Sequence, residues 1–216
     1  DFMERNKDNP FFLYVSHNTI HAPVKEKSSL IAKYEADPQS KGPENNPILG
    51  AMIETLDNSV GRIMEKLKEL DLENNTIVIW ASDNGGLKKD AWQTPLRGGK
   101  AQLYEGGIRV PFMVRWPGKV KPQTECAEPT SSVDIFPTVV DMLGIDAGIN
   151  FDGASILPVL TGANRLDRPA IFWHYPHYHS AGVAPSSAIR AGDYKLIEWH
   201  EQTLLNETNQ VDLYNL

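Results

Sequence analysis

Cysteine is almost missing from this chain. Cys126 stands alone among 216 residues, so no internal disulfide framework is possible. It lies in Thr124-Glu125-Cys126-Ala127-Glu128-Pro129, between two carboxylates, and reads as structurally incidental. A basic excess is missing too: 21 Lys and Arg face 28 Asp and Glu, for a net charge of −7. That argues against nonspecific nucleic-acid binding, which needs a basic footprint. It leaves room for an anionic substrate at a locally basic site. No run approaches the ~20 apolar residues of a membrane span, and no internal repeat is visible. The chain opens on Asp1-Phe2-Met3 without an initiator methionine and stops at Tyr214-Asn215-Leu216; both ends read as cut from something longer, so the missing signal peptide excludes nothing. Hydrophobic content of 41% and charged content of 23% are those of an ordinary globular protein, and the length suits one domain or one and a half.

What is present centres on Ile77-Val78-Ile79-Trp80-Ala81-Ser82-Asp83-Asn84-Gly85-Gly86. The apolar run predicts a buried strand over 77–82, and composition then breaks abruptly to turn residues. In open α/β sheets, sites form just beyond the carboxyl ends of strands. Asp83 and Asn84 offer a carboxylate and a neutral carbonyl oxygen, the donors a hard divalent cation prefers. Asp-Asn-Gly-Gly is also a common turn former, but Arg97-Gly98-Gly99-Lys100 and Tyr104-Glu105-Gly106-Gly107-Ile108-Arg109-Val110-Pro111 follow closely. A metal pair, a glycine-flanked lysine and two arginines suit an anionic substrate. Arg97 and Arg109 can hold an anion or pair with Glu105 or an aspartate to brace the loop; bracing is the preferred reading.

The same logic recurs earlier. Pro10 to Ser16 predicts a buried strand over 11–16, ending in His17-Asn18-Thr19-Ile20-His21-Ala22-Pro23. Ser28–Ala36 reads as a short helix capped by Ser28 or Ser29, and 37–46 as an exposed loop. The clearest element is a helix over 47–70, with Asn46 as cap and Pro47 in its first turn. Its apolar face is Ile48, Met52, Leu56, Val60, Ile63, Leu67 and Leu70, at spacings of three and four. A strand over 109–115 follows the glycine-rich segment. Ser131 or Ser132 then starts a helix with Asp134 in its first turn, a stripe of Val133, Phe136, Val140 and Leu143, and Gly144 as C-cap. Residues 151–162 read as a crossing between subdomains. Beyond it come short strands at 170–175, 187–191, 194–199 and 211–214, with Gly192-Asp193 as a hairpin turn. The architecture predicted is α/β: strands 11–16, 77–82 and 109–115 in one largely parallel sheet covered by helix 47–70, then a small antiparallel sheet from about 165.

Together these motifs resemble the type I sulfatases, within the alkaline phosphatase superfamily. The residues that carry the likeness are Val15-Ser16-His17 with His21-Ala22-Pro23; Ala51-Met52-Ile53-Glu54 with Leu56-Asp57 and Val60-Gly61; Ser82 to Gly86; Leu96 to Lys100 running through Tyr104 to Pro111; Val133-Asp134-Ile135-Phe136-Pro137-Thr138; and Asp152-Gly153. Each is weak alone; their order and spacing are specific. The resemblance implies an alkaline-phosphatase-like three-layer α/β sandwich, with 1–164 as the C-terminal portion of the catalytic domain and 165–216 as an incomplete antiparallel β subdomain. It implies hydrolysis of sulfate esters with calcium and a formylglycine made from Cys or Ser. Asp83 and Asn84 would be two of the calcium ligands. His21 and Lys100 would contact the sulfate, with Lys100 at the bridging oxygen as it leaves; His17 is a weaker substrate-side candidate. His174 and His177, in His174-Tyr175-Pro176-His177-Tyr178-His179, either line a sugar or aryl pocket or belong to a solvated loop.

One departure is large. The family's nucleophile motif, Cys or Ser followed by x-Pro-x-Arg, does not occur in these 216 residues. Nor does the early Asp-Asp pair that completes the calcium site, or the Lys and His near the nucleophile. The resemblance places all of these, formylglycine included, upstream of Asp1, and so reads the chain as the C-terminal part of a sulfatase that is inactive alone. The implied partner is a sulfated small molecule or carbohydrate, and a periplasmic, extracellular or lysosome-like compartment. Two other readings remain: a phosphate or phosphonate ester hydrolase of the same superfamily, and a noncatalytic binding module.

Overall fold

Helical periodicity in the sequence becomes the longest element of the computed structural model, which describes residues 1–40, 45–180, 183–206 and 210–216. After a short α1 (Phe2–Asn6), helices α2 (Ser28–Ala36) and α3 (Pro47–Glu69) pack together. Asn46 Oδ1 accepts from the amides of Ile48 and Leu49 at 3.1 and 3.2 Å, which fixes the start of α3. Met52 and Leu67 are buried, and Ile48, Leu56, Val60, Ile63 and Leu70 half-buried, so the predicted face is the packed one. Tyr34 of α2 donates to Glu54 of α3 at 2.8 Å, and its ring lies against Gly50, where a Cβ would approach Cδ1 to 2.9 Å. The Lys33 ammonium and the Tyr34 hydroxyl hold Glu54 below the usual carboxylate range. The N-cap of α2 is Lys27 rather than a serine. Its carbonyl accepts from Leu30 and Ile31 at 3.0 Å, which puts Ser28 already inside the first turn. Of the loop predicted at 37–46, residues 41–44 lie outside the described residues.

The largely parallel sheet is not what forms. β1 (Val78–Ala81) and β2 (Phe112–Arg115) pair antiparallel, Val78 opposite Arg115 and Ala81 opposite Phe112. The intervening segment folds back on itself, so β2 returns beside β1 in the reverse direction. β2 is shorter than the predicted 109–115 because Glu105–Ile108 forms a helical turn, α4, capped by Arg109, and Pro111 has no amide to donate. Residues 11–16 are not a strand. No neighbour strand among the described residues pairs with them, and Phe12 and Tyr14 are 80% and 79% exposed. A buried strand requires partners for its backbone groups, and apolar composition alone does not supply them.

The 3₁₀ turn Ser132–Asp134 runs into α5 (Ile135–Met142), with Gly144 at φ 62° just past its end. The predicted stripe is not its packed face. Val133, Phe136 and Leu143 are exposed, and Asp134, Pro137 and Thr138 are buried instead. The reason is polar. Asp134, fully buried, accepts from the amides of Ser131 (2.8 Å) and Ala154 (2.9 Å) and from Arg168 Nη1 (2.7 Å), and these bonds turn that side inward. The crossing at 151–162 contains a short α6 (Leu157–Leu160).

The last third is a four-stranded antiparallel sheet of β3 (Ile171–Tyr175), β4 (Ser186–Ala191), β5 (Tyr194–Trp199) and β6 (Val211–Asn215), in that spatial order, with α7 (His200–Asn206) between β5 and β6. Gly192 takes φ 57° at the β4–β5 hairpin, where Ala191 pairs with Tyr194. Its inner face carries Trp173, Tyr175, Ala188, Ile197, Trp199 and Tyr214, and packs on Leu103, Tyr104 and Ile108 of the glycine-rich segment. That contact is the core of the C-terminal part.

Asp134→Ala leaves the Arg168 guanidinium, only 13% exposed, and two amides without their acceptor. Breaking a buried pair from one side costs about 3–5 kcal/mol. Urea unfolding of the chain should show a loss of that order for Asp134→Ala.

Candidate functional site

Two loops meet beyond β1, and they meet through backbone. The Gly85 amide donates to the Gly107 carbonyl at 2.9 Å, the Lys100 amide to the Gly86 carbonyl at 2.9 Å, and the Gly106 amide to the Arg97 carbonyl at 2.7 Å. A Cβ on Gly85 would overlap the Gly106 carbonyl oxygen, and one on Gly107 the carbonyl oxygen of Gln102; one on Gly99 would stand 2.8 Å from the Gly86 oxygen. Only glycine allows this approach. The consequence is positional: the loop bearing Asp83 and Asn84 and the loop bearing Lys100 form one rigid corner.

At that corner Asp83 is exposed, with Oδ1 accepting the Asn84 amide at 2.9 Å. The Asn84 side-chain amide donates to the Gly85 carbonyl at 2.9 Å, which holds its rotamer and occupies its nitrogen rather than its oxygen. Ser82 Oγ donates to the Asn84 carbonyl at 3.1 Å. An anionic and a neutral oxygen on a constrained turn fit a calcium ion in kind, and supply two of the 6–8 ligands it takes. Among the described residues no group of three or more His, Cys, Asp or Glu side chains converges to hold a metal.

The histidines have hydrogen-bond and ring partners of their own. His17 Nε2 and Ser59 Oγ of α3 share a 2.8 Å hydrogen bond, and exposed His21 bonds locally to the Ala22 carbonyl at 3.1 Å. Neither bond reaches the Asp83–Lys100 corner. His174 alternates outward on β3, opposite to Trp173 and Tyr175, and so faces away from the glycine-rich segment. Its Nδ1 and His200 Nε2 both hydrogen-bond Ser187 Oγ, at 2.8 and 2.9 Å. His177 is exposed, its ring edge-on to Tyr175 at 5.4 Å. A cavity of about 410 Å³ lined by Glu128, Arg165, Arg168, Arg190 and Asp193 lies apart from the corner, with Arg168 and Arg190 already engaged by Asp134 and Glu105.

The far side of the glycine-rich segment is anchored in the C-terminal sheet. Arg97 is bracing, with partners other than those the sequence suggested: its guanidinium lies 4.3 Å from the Tyr104 ring centroid and donates to Tyr214 Oη at 2.9 Å. Burial, reinforced by Tyr104, pushes the Tyr214 hydroxyl up to about 12. Glu105 is taken by Lys195 Nζ at 2.9 Å and by Arg190 at 3.6 Å. Sequence reasoning missed Lys195, although a signal was there. In the alternating strand Tyr194–Trp199 it shares the inward register with Ile197 and Trp199, and a lysine at such a position requires a buried acid.

Comparison with known proteins finds mainly sulfatases, and a phosphonate monoester hydrolase of Agrobacterium radiobacter is also similar in structure, with a TM-score of 0.59 at 27% identity over 79% of this chain and 34% of that one. A sulfatase family model matches residues 1–145, and a second, described as N-sulphoglucosamine sulphohydrolase, C-terminal, matches 99–216. An N-acetylgalactosamine-6-O-sulfatase of Bacteroides thetaiotaomicron is 37% identical over 229 residues, covering 99% of this chain and 41% of its own length. Steryl-sulfatase of Rattus norvegicus is 34% identical over 195 residues, covering 85% of this chain and 32% of its own. The crystal structure of Ps i-CgsB in complex with k-i-k-neocarrahexaose superposes with a TM-score of 0.82 at 28% identity, over 99% of this chain and 46% of that one. The chain thus spans about a third to two fifths of the length of these curated relatives.

The corner tolerates no added carbon, whereas Gly61 on α3 has open space around it. Gly107→Ala should therefore lower the melting temperature sharply, and Gly61→Ala should raise stability by about 0.5–1 kcal/mol through helix propensity. Thermal unfolding followed by circular dichroism distinguishes the two.

Proposed function

The chain belongs to the sulfatase family, with its alkaline-phosphatase-like α/β fold, and from that we propose that the full-length protein hydrolyses sulfate esters, with Lys100, Asp83 and Asn84 contributing to one site. The observation that carries this reading is the backbone bond from Lys100 to Gly86, which ties the residue that bears the ammonium group to the strand-end loop that carries Asp83 and Asn84. We assign Lys100 to the bridging oxygen and His21 to the nonbridging oxygens. His17, His174 and His177 rank behind them as substrate-side candidates, since their hydrogen bonds and ring contacts run to the scaffold. A sulfated carbohydrate is the preferred substrate class, because two of the similar proteins are an N-acetylgalactosamine-6-O-sulfatase and a protein solved with a neocarrahexaose. Residues 1–164 would contribute to the catalytic domain and 165–216 would form a small subdomain. No described helix is long and apolar enough to cross a membrane.

Sulfate ester hydrolysis needs a nucleophile aimed at sulfur, positive charge on the nonbridging oxygens and a proton for the leaving oxygen. Charge complementarity of the second kind is usually the largest contribution. Asp83 and Asn84 would hold a calcium ion, which when bound supplies part of that charge. Lys100 would donate to the bridging oxygen as the S–O bond breaks. The nucleophile motif, Cys or Ser followed by x-Pro-x-Arg, is not among these residues, so a formylglycine would come from outside them and the 216 residues alone should not turn over sulfate esters.

Two measurements test this. Calorimetry of the isolated chain should show weak calcium binding at most, because two oxygen donors fall well short of a full shell; tight binding would contradict the assignment. In the full-length protein, Lys100→Ala should cut turnover on the order of 10²-fold, by analogy with other charge-stabilising donors, and more for poor leaving groups than for good ones. Charge on the bridging oxygen grows in the transition state, so an ammonium there raises turnover more than binding. His21→Ala should depend less on the leaving group. Turnover across aryl sulfates of graded leaving-group pKa gives the slopes; an unchanged slope in Lys100→Ala removes Lys100 from the leaving oxygen.

A further inference from the structure

Lys195 is 1% exposed and sits on β5 of the C-terminal sheet, outside the Asp83–Lys100 corner. Burial pulls its ammonium below the usual lysine range, opposed by Glu105. An ion pair in such a place is weak evidence for stability, because a well-packed apolar pair often serves as well. What it does specify is position. Lys195 Nζ donates to Glu105 Oε1 at 2.9 Å and lies 5.4 Å from the Trp173 ring centroid. The other carboxylate oxygen, Glu105 Oε2, has no hydrogen-bond donor, only Arg190 at 3.6 Å. Arg190 and Lys195 are cross-strand partners on β4 and β5. The carboxylate therefore stands between two cations, and its one good hydrogen bond decides which way it leans.

Glu105 opens α4, and the segment that carries it and Lys100 is tied to itself by backbone bonds. The Arg109 amide donates to the Glu105 carbonyl at 2.8 Å, Gly107 to Tyr104 at 2.9 Å, Gly106 to Arg97 at 2.7 Å, and Gln102 to Gly99 at 3.0 Å. Cβ atoms at Gly106 would meet the Gly98 oxygen at 2.6 Å. A close-packed arrangement of this kind transmits a shift rather than absorbing it. We propose that Lys195 is a positioning residue for Lys100: through Glu105, the inner face of the C-terminal sheet sets where the glycine-rich segment presents its ammonium group. This rests on the assignment of Lys100 to the leaving oxygen. Loss of Lys195 leaves Glu105 to turn toward Arg190 and carries the segment with it.

The test compares parent, Lys100→Ala, Lys195→Met, Lys195→Arg and the double variant Lys100→Ala/Lys195→Met in the full-length protein, with aryl sulfates of graded leaving-group pKa. Misplacement by about 1 Å costs up to roughly 10²-fold. Lys195→Met should therefore slow the poorest leaving groups by about 10- to 100-fold and the best ones little, with KM nearly unchanged. Lys195→Arg should recover most of the loss, and the double variant should be no slower than Lys100→Ala alone. A purely structural role lowers turnover by one factor across the series; that uniform loss, or multiplying losses in the double variant, overturns the proposal. If Lys195→Met does not fold, Glu105→Gln/Lys195→Met, which removes both charges, carries the same expectation. Amide exchange in this chain is independent of turnover: Lys195→Met should speed exchange at Gly85 and Lys100 by about 10-fold or more and leave the α3 amides unchanged, and no change at Gly85 and Lys100 overturns the coupling. A parent without sulfate ester turnover, alongside faster exchange, would instead overturn the assignment of Lys100.

Discussion

The structure depends most on a contact between two pieces of backbone. Gly85 against Gly106 and Gly107, and Gly99 against the Gly86 carbonyl, approach so closely that a side chain on Gly85 or Gly99 cannot fit between the two loops. Hydrogen bonds from Gly85 to Gly107 and from Lys100 to Gly86 occupy the space instead. Backbone-to-backbone packing has few soft degrees of freedom, since side-chain rotamers cannot adjust it. It therefore suits a place where groups from two loops must keep a fixed separation.

That contact organises what lies on each side. Toward the end of β1 it places Asp83, Asn84 and Lys100 in one corner. Away from it, Leu103, Tyr104 and Ile108 enter the core of the four-stranded sheet, and Arg97 and Glu105 reach its polar groups. The glycine-rich segment is a shared layer, half-buried at Lys100 and anchored at Lys195. A sheet with no candidate catalytic residue on its inner face is thereby coupled to the corner. The buried ion pair there costs desolvation, and the return on that cost is a defined position for Glu105.

Much of this was legible from residue order. The α3 helix follows from apolar spacing with an Asn-Pro start, the C-terminal strands from short alternating runs, and the Asp83–Lys100 corner from a carboxylate, a carboxamide and a lysine among closely spaced glycines. Less legible was everything decided by a partner. Residues 11–16 have the composition of a buried strand and lie in no strand, because pairing belongs to neighbours. α5 has an apolar stripe and buries a different side, because the Asp134 bonds to Ser131, Ala154 and Arg168 outweigh the stripe. Lys195 has no role legible in residue order until its inward register is matched to Glu105, 90 residues earlier.

The sequence by itself determined which residues can do chemistry and which can bend: the oxygen donors at 83 and 84, the lysine at 100, and glycines where no other residue survives. It determined helix and strand wherever periodicity and caps agree, since those are local preferences. Only the tertiary structure decided that β1 and β2 run antiparallel, that His174 faces away from the glycine-rich segment, and that Arg97 rests on Tyr104 and Tyr214 rather than on an acid. Register, facing and partner choice are set by contacts between residues far apart in the chain, and local preferences do not encode them.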